Sequence, residues 1–134
     1  MTKRELREKV NRLEGIKILL TEDKEINQWI VLSLLEESGI EVDIAKNGKE
    51  AVSKYNKSDY LLILMDIEMP IMNGYEATKI IRKEDREIPI IALTANGTEL
   101  DRQKTQRVGM NDHLQKPIEV ELFYKTFLKY IDAA

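Results

Sequence analysis

The chain has 134 residues, 43% of them hydrophobic and 34% charged, with no cysteine and a formal charge of −3. That length supports one core without disulfide or zinc staples, and the lack of cysteine excludes thiol nucleophiles and thiolate metal sites. The charge leaves no basic footprint for nucleic acid or an anionic membrane, no apolar run approaches membrane-spanning length, and a single histidine, His113, excludes a histidine-pair metal site.

Residues 1–14 carry five basic side chains (Lys3, Arg4, Arg7, Lys9, Arg12) against three acidic ones (Glu5, Glu8, Glu14). Leu6, Val10 and Leu13 recur at i, i+4 and i+7, which predicts a short amphipathic helix ending at Gly15. The segment has no apolar signal core, so nothing in it directs secretion and the default location is cytoplasmic. Its seam is too short for a coiled coil of its own. It is expected to dock or fray as a helical leader or linker, ahead of a domain running from residue 15 to residue 134.

Short apolar runs then alternate with helical patterns. Strands are expected at 16–20 (IKILL), 40–44 (IEVDI), 60–65 (YLLILM) and 88–93 (IPIIAL), with a short polar one at 112–115. Helices are expected at 24–38, 47–56, 74–84, 98–107 and 118–131, the crossovers that a parallel sheet requires. In the first of these, Ile26, Ile30, Val31, Leu34 and Leu35 are assigned to the core and Trp29 to its margin. In the helix at 98–107, Leu100 and Val108 are the only apolar anchors, so it is expected to be held loosely. The first, third and fourth strands are continuously apolar and belong inside the sheet; the second alternates with Glu41 and Asp43 and the fifth is polar, so both belong at edges. The order 2-1-3-4-5 satisfies this. The expected class is α/β, a flavodoxin-like (βα)5 three-layer sandwich with an extra N-terminal helix.

In such a sheet function sits beyond the carboxyl ends of the strands. Glu22 and Asp23 follow the first strand, Asp66 and then Glu68 the third, Thr94 the fourth and Lys116 the fifth. Three carboxylates within roughly 5 Å repel by about 3 kcal/mol per pair at an effective dielectric near 20, so the cluster requires a cation. Oxygen-only ligands favour a hard ion, magnesium first and manganese or calcium next. A carboxylate beside both a divalent ion and a lysine suits attack on a phosphoryl group, and Asp66 is the candidate nucleophile. Pro70 and Gly74 shape the loop that follows it. Each of these residues also has a plainer reading: a turn aspartate, a helix-starting acid pair, a strand-end threonine, a solvated lysine. All of those must hold together to remove the site.

The segments TEDKEINQ at 21–28, LMDIEMPIMNGYEATKIIR at 64–82, ALTANG at 92–97 and GMNDHLQKPI at 109–118 resemble the receiver domains of two-component response regulators, closest to those of hybrid sensor histidine kinases. The resemblance covers residues 15–131. It implies that Glu22 and Asp23 hold magnesium, that Asp66 accepts the phosphoryl group, and that the Glu68 carbonyl completes the metal site. It also implies Thr94 as the switch hydroxyl, Lys116 as its cationic partner and a cis peptide before Pro117. The implied partner is a histidine kinase or histidine phosphotransfer domain, docking near Asn27 and Gln28, with no direct nucleic-acid contact and no membrane insertion. The chain is then a monomer or a phosphorylation-dependent dimer, cytoplasmic or the cytoplasmic part of a membrane-bound hybrid kinase. Two positions depart from the family pattern. His113 stands where an aromatic residue usually rotates on activation, and is read either as a solvent-facing edge residue or as a pH-sensitive switch. Lys24 stands where hybrid-type receivers often have asparagine, and is read as solvated, as weakening magnesium binding, or as reaching the phosphoryl group. A pseudo-receiver acting only as an interaction module, and a metal-dependent phosphoryl-transfer or nuclease enzyme, are the competing functions.

Overall fold

The computed structural model describes residues 1–131. In chain order the elements are α1 (Lys3–Val10), β1 (Lys17–Thr21), α2 (Glu25–Leu34), β2 (Glu41–Ala45), α3 (Gly48–Tyr55), β3 (Ile63–Asp66), α4 (Gly74–Arg82), β4 (Ile90–Thr94), α5 (Glu99–Val108), β5 (Asp112–Gln115) and α6 (Val120–Ile131). The strands form one parallel sheet of order β2-β1-β3-β4-β5, as the polar edges predicted. None of the described helices is long and apolar enough to cross a membrane.

Period-two alternation divides the sheet residues between two cores. Ile18, Leu20, Leu64, Ile91 and Leu93 face α2 and α6, where they meet Val31, Leu35, Phe123 and Phe127. Leu19, Ile63, Met65, Ile90 and Ala92 face α3 and α4, where they meet Ala51, Ala77 and Ile81. Helix starts follow local chemistry: Asn47 caps α3, Asn73 and Glu76 close a capping box on α4, and Thr2 and Glu5 close one on α1.

Helix α1 docks rather than frays. Leu6 and Val10 are buried in the α2–α6 core, with Leu13 packed at its margin. The α-helix ends at Val10, short of the expected end, and turns closed by the Arg12 N–H on the Lys9 carbonyl and the Leu13 N–H on the Val10 carbonyl carry the chain on to Leu13.

Three sequence expectations change. Helix α2 stops at Leu34, and Ile26, Trp29 and Ile30 point outward, Trp29 with 73% of its surface exposed. At about 100° per residue the buried stripe is Gln28, Val31 and Leu35, and Ile26 and Ile30 fall on the opposite side. Helix α5 is anchored by Val108, as expected, and by buried Thr105, whereas Leu100 is 76% exposed. The third strand begins at Ile63 because Leu61 turns outward and the Tyr60 hydroxyl leaves to donate to Asp43 at 2.7 Å.

Candidate functional site

Parallel register brings the strand ends into line. Thr21 lies opposite Ala45 and Met65, Asp66 opposite Leu93, and Thr94 opposite Gln115. The next residues of the chain therefore emerge on one rim. The Glu22 N–H continues the ladder to the Ala45 carbonyl at 2.9 Å, and the Lys116 N–H donates to the Thr94 carbonyl at 2.7 Å.

Glu22, Asp23 and Asp66 each offer one carboxylate oxygen, and the three oxygens lie within 4.8 Å of one another. Lys116 Nζ donates to Glu22 Oε2 at 2.8 Å and sits 3.2 Å from Asp66 Oδ1. Glu22 is fully buried and Asp66 nearly so. Burial, and then the Glu22 charge, push the Asp66 carboxyl up to about 7 in the metal-free site, against the opposing pull of Lys116. Burial works to lower Lys116, yet the hydrogen bond to Glu22 and the charges of Asp66 and Glu22 hold it above its ordinary value. One ammonium thus faces three carboxylates, and the excess negative charge raises the proton affinity of Asp66.

This donor set fits a divalent cation. Asp23 Oδ1 is buried without a hydrogen-bond partner, although buried carboxylate oxygens are ordinarily satisfied. All the offered atoms are hard oxygens. Glu22, Asp23 and Asp66 are the residues that would hold it. Glu68 is exposed; its N–H donates to Asp66 Oδ1 at 3.3 Å. Lys24, Asn27, Asp66, Glu68, Thr94 and Lys116 are among the residues lining a cleft of about 110 Å³ at this point.

Two side chains place Glu22, and sequence reasoning had assigned both to an exposed docking surface. Gln28 is buried and donates Nε2 to the Glu22 carbonyl at 2.8 Å, while Asn27 donates Nδ2 to Glu22 Oε1 at 3.3 Å. The clue was available in the spacing: Gln28 falls on the Val31–Leu35 stripe, and a buried amide there must find a partner.

The loop after Asp66 is fixed by close approaches. Gly74 donates its N–H to the Ile67 carbonyl at 2.9 Å, and a Cβ at Gly74 would stand 2.3 Å from the Asp66 carbonyl oxygen. Ile71 takes a left-handed φ of 71°, strained for a β-branched residue, in a tight turn closed by Met72 N–H on the Pro70 carbonyl at 2.7 Å.

Thr94 reaches the rim with its hydroxyl engaged. It donates to the Asn96 carbonyl at 2.7 Å and accepts from the Asn96 N–H at 3.0 Å. His113 is partly buried, pairs with Ala92 and shares the sheet face of Thr94. Burial and then the Arg102 charge hold its imidazole below the ordinary histidine value. The Lys116–Pro117 peptide is cis.

Residues 18–127 match the family model described as the response regulator receiver domain. The chain belongs to that family. Among curated relatives, hybrid signal transduction histidine kinase B of Dictyostelium discoideum is 47% identical over an alignment of 116 residues that covers 77% of this chain and 6% of that protein. The two-component response regulator 24 of Arabidopsis thaliana is 38% identical over 90% of this chain and 88% of its own length. This receiver therefore spans a small fraction of the hybrid kinases it matches and most of the plant regulator.

Solved structures agree. The receiver domain of a Pseudomonas aeruginosa sensor histidine kinase, crystallised with magnesium coordinated in its active-site cleft, aligns with a TM-score of 0.81 at 37% identity, covering 89% of this chain and 99% of that one. The receiver of Ssk1 from Saccharomyces cerevisiae, in complex with the histidine phosphotransfer protein Ypd1, aligns with a TM-score of 0.82 at 33% identity, covering 88% and 90%. The chain is a receiver domain of two-component and phosphorelay systems, a family whose members bind magnesium at an acidic pocket, and Glu22, Asp23 and Asp66 form an acidic cluster on its rim.

Proposed function

We propose that this receiver accepts a phosphoryl group from a phosphohistidine onto Asp66, with magnesium, or manganese in its place, held by Glu22, Asp23, Asp66 and the Glu68 carbonyl. The observation that carries the reading is the placement of the Asp66 carboxylate, 3.2 Å from Lys116 and within 4.8 Å of two further carboxylates. When bound, the ion neutralises carboxylate and phosphoryl oxygens. Ionised Asp66 then attacks phosphorus with one Oδ; the bond from phosphorus to the histidine nitrogen breaks, and that nitrogen keeps the electron pair. Lys116 stays protonated throughout and turns from Glu22 toward the new phosphoryl oxygens.

Thr94 is proposed as the switch hydroxyl. To reach the phosphoryl group it gives up its two hydrogen bonds to Asn96, worth about 1 kcal/mol each. New charge-assisted bonds from Thr94 and Lys116 are worth roughly 1.5–3 kcal/mol each, against about 5.5 kcal/mol to move a population from 1:99 to 99:1. Phosphorylation alone therefore shifts the domain only partway, and a partner completes the transition. His113, on the same sheet face as Thr94, is proposed as the residue that follows this movement beneath α5.

The donor docks on the outer face of α2. Ile26, Trp29 and Ile30 form an exposed apolar strip there, beside Asn27 at the cleft, and Ile30 continues into a small apolar hollow with Pro117 and Ile118. Residues 15–134 are taken as the receiver proper and 1–14 as a helical leader resting on it. The test is transfer from a phosphorylated histidine phosphotransfer protein in magnesium. The wild type acquires acid-stable-protein-bound label that hydroxylamine removes; Asp66→Asn acquires none, and labelling of that variant at the wild-type rate overturns the assignment.

A further inference from the structure

A second charged site lies at the opposite end of the sheet. The last turn of α4, the turn after it and the last turn of α5 converge on a cleft of about 520 Å³ lined by Lys79, Arg82, Lys83, Arg86 and Arg107, with Val108 on its apolar side. The chain as a whole is acidic, yet no carboxylate lines this cleft. Three acids share the turn after α4, Glu84, Asp85 and Glu87, and the charges of Asp85 and Glu87 reach Arg82, but none of the three lines the cleft: Asp85 takes the Tyr55 hydroxyl at 2.5 Å and the N–H groups of Glu87 and Ile88. None of the four exposed cations here forms an ion pair among the described residues.

Cations in the last turn complement a helix dipole, which accounts for Lys79, Arg82 and Arg107. Lys83, the C-cap of α4, shares in that explanation, but Arg86, beyond the helix end, does not, nor does the dipole explain why two helix ends converge on one hollow. Arg82 is moreover held in place. Its Nε donates to the Gly109 carbonyl at 2.8 Å, Nη1 to the Asp85 carbonyl at 3.0 Å and Nη2 to Asn111 Oδ1 at 2.9 Å. Each terminal nitrogen keeps one N–H free, a fixed fork of the kind that suits phosphate.

We propose that this cleft binds an oligophosphate anion, its phosphate groups on the guanidinium and ammonium groups and any base or ring it carries over Val108. The volume lies in the range of small-ligand sites, roughly 300–1,000 Å³; the cleft is shallow and open to solvent, and its cations cluster at one place rather than lining a continuous stripe such as a nucleic-acid backbone follows. Because α5 contributes Arg107 and also runs from the Thr94 loop, an anion here bridges α4 to the helix that follows the proposed switch hydroxyl. The binding claim itself stands without that function.

The test is a titration of the whole chain, without magnesium and at near-physiological salt, with inorganic triphosphate and separately with adenosine triphosphate, followed by amide chemical shifts. Saturable binding with shifts concentrated at Lys83, Arg107, Val108, Gly109 and Asn111 is expected, and Lys83→Ala with Arg107→Ala weakens it by about tenfold or more. Lys125→Ala, on the far surface of α6, leaves it unchanged. Tighter binding of the nucleotide assigns the apolar side to a base; equal binding assigns the site to phosphate alone. No saturation, or shifts spread evenly over all surface cations, overturns the proposal.

Discussion

Asp66 is held in tension by its own neighbours. Its carboxyl is raised from about 4 to about 7 because burial and Glu22 oppose its charge more than Lys116 supports it. Between those values the folded metal-free protein binds more protons than the unfolded chain, so stability falls as pH rises through that window. Asp66→Asn removes the penalty. In magnesium-free buffer the variant is expected to melt above wild type at pH 8, with the difference shrinking toward pH 4; calorimetric melts across that range check it, and a variant less stable than wild type at pH 8 contradicts it. At this scale the acid rim, Asp66 and Lys116 were legible because each directly follows a strand in parallel register. The roles of Asn27 and Gln28 were not, because an apolar-rich helix can be rotated either way until the partner of a buried amide is known. Thr94 was placed correctly on the rim, but its engagement with Asn96 depends on loop geometry that no spacing encodes.

At the scale of the elements, the helices contribute unequally. Leu6 and Val10 of α1 are buried against the core that α6 completes, while Leu100 of α5 faces solvent. Leu6→Ala is expected to cost about 2–4 kcal/mol and Leu100→Ala less than about 0.5 kcal/mol in urea unfolding; equal effects contradict this reading. The sheet order was readable from which strands tolerate polar residues. For α5, Val108 was readable as an anchor and packs on the core, but Thr105 was not: its hydroxyl satisfies itself on the Arg102 carbonyl at 2.8 Å, so a polar residue took a buried position where Leu100 was expected. The outward strip on α2 was misread as core because apolar residues occupy both sides of that helix.

For the whole molecule, the proposed function assigns the acid rim to chemistry and the apolar strip of α2 to donor docking. Trp29→Ala is expected to lower phosphoryl transfer from a histidine phosphotransfer protein by about tenfold, as loss of an exposed aromatic anchor does. Phosphorylation by a small acyl phosphate is expected to stay unchanged, since that donor needs no docking face. An equal loss with both donors would place Trp29 in the chemistry instead. The most direct measurement of the central claim is mass spectrometry of the protein after incubation with a small acyl phosphate, with and without magnesium, followed by peptide mapping. One phosphoryl group on the peptide containing Asp66, formed only with the ion, is the expected result. Phosphate found on His113 or another residue, or equal labelling after chelation of the metal, would contradict it.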